Sequence, residues 1–202
     1  MRLKNLFYVF IMIIMFASCL TPESEYKRAN ELKQKIDKYE LKEYAEAEYQ
    51  TAEDNYDKGK VYMDEKKNMQ ASKHLKEANK NYETVIDKGL PPYTEKKDVE
   101  TKEEKGQAEE IKAYVAVKEQ YEEAEKSYNE ALKYKDKKNY EKAIEFLNDA
   151  KTKYEHAYDL SYEKKTKAKE SIDSTEEIKR EIEKNAEELD RKIKELEKEL
   201  NK

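Results

Sequence analysis

Beyond the first twenty residues, apolar side chains recur in steps of three and four along most of the chain. Leu32, Ile36, Tyr39, Ala45, Tyr49, Ala52, Tyr56, Gly59 and Tyr62 follow that rhythm and mark one face of a first helix. Thr21-Pro22-Glu23 supplies its start, with threonine as a cap and proline at the first helical position. Asp64-Glu65-Lys66-Lys67-Asn68 interrupts the stripe as a polar turn. A second helix then carries Ala71, Leu75, Ala78, Tyr82, Val85 and Ile86. It is predicted to stop at Lys88-Gly89-Leu90-Pro91-Pro92, because glycine accepts a left-handed terminal conformation and proline cannot continue the hydrogen-bond ladder.

A charged connector, residues 91–106, follows, and Thr101 with Glu104 has the spacing of a capping box. The third helix carries Ile111, Tyr114, Val117, Tyr121, Ala124, Tyr128, Ala131 and Tyr134. After a turn at Lys135-Asp136-Lys137-Lys138-Asn139, the fourth carries Tyr140, Ala143, Leu147, Ala150, Tyr154, Ala157 and Tyr158. Shifting the chain by about 72 residues superposes the halves without a gap. Tyr49, Ala52, Glu53 and Tyr56 fall on Tyr121, Ala124, Glu125 and Tyr128, and Ala71, Leu75, Ala78 and Tyr82 fall on Ala143, Leu147, Ala150 and Tyr154. The match holds through the turn, where Asp64 and Lys66 fall on Asp136 and Lys138. The expectation is one antiparallel hairpin used twice, with small alanines letting the axes approach and tyrosines filling the space beside them. The hairpins are expected over residues 19–90 and 107–165.

The last segment, residues 166–202, differs. Ser174 to Glu177 has capping-box spacing, and Ile182, Ala186, Leu189, Ile193, Leu196 and Leu200 alternate by four and three. Ile172 and Thr175 extend that seam backwards. A long charged helix is predicted. It folds back on the hairpins, pairs with another chain to make a homo-oligomer, or stands alone on Glu–Lys pairs.

The first eighteen residues are of another kind. Arg2 and Lys4 precede an apolar run from Leu6 to Phe16, too short for a membrane span, which needs ~20 apolar residues, and right for a secretory signal core of ~7–15. Ala17 and Ser18 then lead to Cys19, the chain's single cysteine. Phe16-Ala17-Ser18-Cys19 resembles the lipobox of bacterial lipoproteins in a relaxed, spirochaete-like form. That resemblance implies cleavage before Cys19, lipidation of its sulfur, and acylation of its new amine. The mature chain would be held in the bacterial cell envelope, with the outer membrane favoured by the absence of aspartate after the cysteine.

Composition narrows the functional classes. Charged residues make up 44% against only 3 Gly and 3 Pro, which favours long helices over sheet. Mean hydropathy is −1.26, low enough to suggest disorder, but the 17 tyrosines fall at helical spacing. The net charge of −5, with signs interleaved, is no nucleic-acid footprint. With one cysteine, no internal disulfide is available. His74 and His156 have no second histidine or cysteine at ligand spacing, no serine has a triad around it, and no glycine-rich phosphate loop is present. No cofactor, metal or catalytic role is therefore expected. The tyrosines on the alanine seam serve as core, whereas Tyr44, Tyr93 and Tyr162, off it, are candidate partner contacts.

Within each half the spacing is similar to a tetratricopeptide repeat. Gly59, Tyr62, Ala71, Leu75 and Ala78, and again Ala131, Tyr134, Ala143, Leu147 and Ala150, stand at that family's small, aromatic and aliphatic offsets. The family's early tryptophan is replaced by Asn55 and Ser127, and its closing proline by Glu83 and Glu155. The resemblance implies a membrane-anchored scaffold that binds a protein partner. The alternatives are a ligand-binding accessory subunit of a transporter and a surface-exposed adhesin.

Overall fold

The computed structural model describes residues 22–200, and these are all-α. Helix α1 spans Pro22–Lys38, and a 3-10 turn, Leu41–Tyr44, leads to α2, Glu46–Asp64. Helix α3 runs over Asn68–Glu110, α4 is the short Ala113–Ala116, α5 spans Lys118–Asp136, and α6 covers Tyr140–Leu200. The signal segment and Cys19 lie outside the described residues. The described residues divide into two compact units: those up to Val99 with Glu130–Phe146, and Glu100–Asn129 with those from Leu147 onward.

The predicted stop at Gly89-Leu90-Pro91-Pro92 is not there. Helix α3 passes through both prolines, and so the expected connector over 91–106 is helical. Two prolines in succession remove the N–H donors that would reach the carbonyls of Asp87 and Lys88. Both of those residues are exposed, so water can take the donors' place. On the opposite side, Ile86, Leu90, Thr94 and Asp98 form an unbroken buried row at four-residue spacing, and this packing holds the helix together across the gap. Gly89 is no helix cap either. Its φ is not positive, and a β-carbon there would lie 2.9 Å from Leu41 Cβ. The residue is small because the 3-10 turn packs on it.

The first predicted stripe is broken as well. Glu40, at φ 52°, stands in the left-handed region and ends α1, and Leu41 beyond it is fully buried. Lys112, at φ 63°, does the same after α3, so Ile111 and Tyr114 do not continue into one face with Val117, and Tyr114 is exposed. The predicted polar turns are present. In the first, Lys66 (φ 59°) donates its N–H to Met63 O at 2.9 Å and Lys67 donates to Tyr62 O at 2.8 Å. In the second, Lys138 (φ 56°) donates to Lys135 O at 2.9 Å and Asn139 to Tyr134 O at 2.9 Å. Both are Schellman closures with lysine where glycine is usual. The left-handed residues Glu40 and Lys66 thus recur as Lys112 and Lys138, at the sequence shift of about 72 residues.

In the first unit the core is Ala29, Ile36, Leu41, Ala52, Tyr56, Leu75, Ala78, Tyr82, Val85 and their neighbours. Gly59 sets the closest approach of α2 to α3: a β-carbon there would meet Leu75 Cγ at 2.6 Å. In the second unit Val117, between α4 and α5, and Tyr121, Ala124 and Tyr128 of α5, with Leu147, Ala150, Tyr154 and Ala157 of α6, are likewise buried. Full burial of one such large side chain contributes ~1.5–3 kcal/mol.

Helix α6 leaves its core at Ser161. From Tyr162 to Glu199 every residue is exposed, so this stretch does not fold back. Its internal support is a ladder of pairs at four-residue spacing, among them Arg180–Glu176 (3.8 Å), Lys192–Glu188 (2.9 Å) and Lys194–Asp190 (2.8 Å).

Candidate functional site

Three places combine polar chemistry with shape, and the residues of each come from the stripes and turns described above. Two are half-buried tyrosine–carboxylate–lysine clusters. In the first unit, Glu53 on α2 accepts a hydrogen bond from the hydroxyl of Tyr82 on α3, and Lys33 of α1 donates to its other oxygen at 2.8 Å. In the second unit, Glu125 on α5 accepts from Tyr154 at 2.5 Å and pairs with Lys105 at 2.5 Å. The three members of one cluster lie at the same sequence shift from those of the other.

Burial, then the hydrogen bond to Glu53, pushes the Tyr82 hydroxyl well above the usual tyrosine range, and burial with Glu125 does the same to Tyr154. Burial would also raise Glu125, but the Lys105 ammonium and the Tyr154 hydroxyl outweigh it and hold its carboxyl below the usual range. Tyr82 and Tyr154 are thus held toward the neutral phenol and Glu125 toward the carboxylate. They do not resemble an acid and base poised near neutrality.

A third buried pair stands beside the second turn. Asp98, only 2% exposed, accepts from Lys135 at 2.8 Å, and Lys135 also donates to Glu95 at 2.9 Å. Burial would lower the lysine, and the two carboxylates together raise it. The pair clamps α3 beyond the prolines to the end of α5.

A groove of about 500 Å³ in the first unit has the shape of a binding site. Leu32, Ile86 and Leu90 form its apolar floor, with Tyr140 beside them. Lys137, Lys138 and Asn139 bring the second turn to its edge, and Lys35 closes another side with an ion pair to Glu141 at 2.6 Å. Glu83 on the wall is paired with Arg28. An apolar floor under alternating charges suits an amphipathic segment of protein better than a small anion or cation. A shallower hollow of about 410 Å³ is lined by Ile36, Asp37, Glu40, Lys42, Glu43 and Glu46. Among the described residues no group of histidine, cysteine and carboxylates is arranged to hold a metal ion.

The three tyrosines singled out from sequence are not brought to this groove. Tyr44 and Tyr93 are half-buried against the first unit's core, where Tyr93 meets Tyr39 edge-on at 5.8 Å. Tyr162, 58% exposed, stacks on Tyr158 at 6.3 Å in the second unit. His74 is engaged by Asn55 at 3.0 Å and stacks on Tyr62 at 5.4 Å. Sequence reasoning missed the groove, since its floor joins Leu32 of α1 to a helix region placed at a chain break. The lysine members of the clusters were legible: Lys33 and Lys105 obey the same shift as the tyrosines. No helix among the described residues is long and apolar enough to cross a membrane. Set against protein-family models, curated proteins and solved structures, the chain matches none.

Proposed function

We propose that the protein is a bacterial envelope lipoprotein, anchored through lipid on Cys19, that presents a helical surface to a protein partner and catalyses nothing. The tether reading rests on Phe16-Ala17-Ser18-Cys19 after a short apolar core. The body is read as a three-helix pattern used in tandem. Helix α1, the 3-10 turn, α2 and the first part of α3 correspond to the rest of α3, α4, α5 and the first part of α6. The paired left-handed residues and the paired tyrosine–glutamate–lysine clusters support that duplication. Its α2–α3 and α5–α6 portions are the tetratricopeptide-like hairpins.

The observation that carries the binding role is the groove over Leu32, Ile86 and Leu90, apolar below and charged at its rim. Two or three acyl chains at ~0.8 kcal/mol per buried CH₂ would keep that groove durably at a membrane surface. A photo-crosslinking residue placed at Lys137, on the groove edge, tests the role in intact cells. A discrete protein adduct, lost when Lys138 and Lys35 are both changed to glutamate, is expected. Labelling that is absent, or unchanged by those substitutions, sinks the reading. Detergent-phase partition of Cys19→Ser tests the anchor separately.

A further inference from the structure

The exposed end of α6 presents an apolar line that no other described residue covers. Ile172, Ile182, Leu189, Ile193 and Leu196 are each exposed, by 45% (Ile193) to 62% (Ile182). They fall on the two inward positions, a and d, of a heptad repeat: Ile172 and Ile193 at a, and Ile182, Leu189 and Leu196 at d. Thr175 at d, with Lys179 and Ala186 at a, fills the remaining layers. The seam therefore runs through more than three heptads, about the length at which a coiled coil becomes stable. A lone helix would gain nothing from this periodicity, because its own support comes from the charged pairs on its flanks.

We infer that residues 172–199 form a parallel, in-register, two-stranded coiled coil with a second copy of this chain. The flanking charges specify the occupant and its direction. The e positions are all acidic: Glu176, Glu183, Asp190 and Glu197. The g positions are Ser171, Ile178, Asn185 and Lys192. In a parallel pair each g residue faces the following e residue of the other helix. The acids then face serine, isoleucine, asparagine and lysine, and Lys192 meets Glu197 of the second copy on both sides of the pair. In an antiparallel pair e faces e, and any register that overlays the seams sets Glu183 or Glu176 against another acid. Like charges across such a flank are destabilising, so direction is chosen by repulsion as much as by attraction.

Lys179 supports a two-stranded state. A single lysine at an a position is tolerated in a dimer, where its stem lies on the seam and its ammonium reaches the edge, and it penalises wider bundles and shifted registers. Its ammonium already lies 3.9 Å from Glu183, an e residue on the same helix, so the edge acid is in place. Ile193 and Leu196 give the isoleucine-at-a, leucine-at-d arrangement that favours two strands.

The inference is independent of the groove and of the anchor. Its test uses the full chain purified in mild detergent, with the protein mass of the particle taken from light scattering. The expected value is twice that of one chain. Leu189→Glu with Leu196→Glu should halve it while leaving the helical circular dichroism in place, because neither side chain packs on the core. Mild oxidation of Leu189→Cys should give a disulfide-linked dimer, as two d positions of a parallel pair face each other. Glu187→Cys, on the outer face, should not. A single-chain mass, a dimer that survives the double substitution, or equal cross-linking from Glu187→Cys would overturn the inference. So would a seam occupied by a different protein, or linkage only between Ala186→Cys on one copy and Leu189→Cys on the other.

Discussion

The Tyr154 hydroxyl donates to Glu125 Oε1 at 2.5 Å from a ring that is wholly buried, and Tyr82 makes the same bond to Glu53. The tyrosine spans the hairpin, filling the space opposite the alanines while its hydroxyl ends on a carboxylate that a lysine also holds. Removing that hydroxyl leaves the carboxylate one donor short in a semi-enclosed site. Tyr154→Phe and Tyr82→Phe should each lower stability by about 1.5–3 kcal/mol, the usual loss for a hydrogen bond to a charged group. Urea unfolding followed by circular dichroism measures it. Tyr162→Phe, on an exposed ring, should change stability by less than ~0.5 kcal/mol.

The same clusters set the pH limits of the fold. Tyr82, Tyr154, Tyr121 and Tyr56 are raised above the ordinary value of 10.0, in each case by burial first. A raised folded-state pKa contributes stability below the unfolded value, and that stability is lost as pH climbs beyond it. Tyrosinate absorbance should therefore rise in two stages. The later stage belongs to the buried four, which ionise only together with loss of helical signal. On the acid side Glu125 and Asp149 are held below their ordinary values of 4.5 and 3.8. Burial opposes both, and the pairing lysines and hydroxyls prevail. Their contribution is present above those values and disappears as pH falls through the lower folded ones, so stability should decline below about pH 4.5. A smooth tyrosinate curve centred near pH 10, with the helices intact, would contradict this account.

Much of the arrangement could be read from spacing. The alanine–tyrosine seam, both polar turns and the exposed heptad line were visible because each depends on local periodicity. The passage through Pro91 and Pro92 was not, because it is held by the buried row Ile86, Leu90, Thr94 and Asp98, and Lys135, the partner of Asp98, is distant in sequence. Glu40 and Lys112 end helices without glycine or proline, and only the six-residue step from Tyr39 to Ala45 hinted at the first break. The groove was hidden for a related reason. Leu32 and Leu90 line it together, and α3 runs on through the place where its residues predict a stop.

The three glycines separate two effects that composition cannot. Gly106 lies within α3 with nothing inside 4 Å of an added β-carbon, so Gly106→Ala should stabilise by about 0.5–1 kcal/mol through helix propensity. At Gly59 the same change drives a methyl to 2.6 Å from Leu75 Cγ, and at Gly89 to 2.9 Å from Leu41 Cβ. There the strain of overpacking, typically ~1–3 kcal/mol, exceeds the propensity gain and both variants should be less stable. Leu75→Ala should cost several kcal/mol alone, but less in the Gly59→Ala background, because the methyl then occupies part of the cavity. Additive costs in a double-mutant cycle would show that the two residues do not touch.

Lys66 and Lys138 test whether the turns themselves are strained. Each holds a left-handed backbone at φ 59° and 56° and closes its helix through hydrogen bonds of its own N–H and the next one. A side chain with a β-carbon pays roughly 1–2 kcal/mol in that region, and glycine does not. Glycine loses more entropy on folding, which takes back part of the gain. Both side chains are exposed, with Lys138 at the edge of the groove. Lys66→Gly and Lys138→Gly should therefore each raise the unfolding midpoint, by about 0.5–1 kcal/mol in free energy. Substitution by valine, whose branched β-carbon tolerates the left-handed region least, should move it the other way. If glycine destabilises either turn, the lysine conformation there is relaxed by something other than the two Schellman bonds, and the turns are not equivalent.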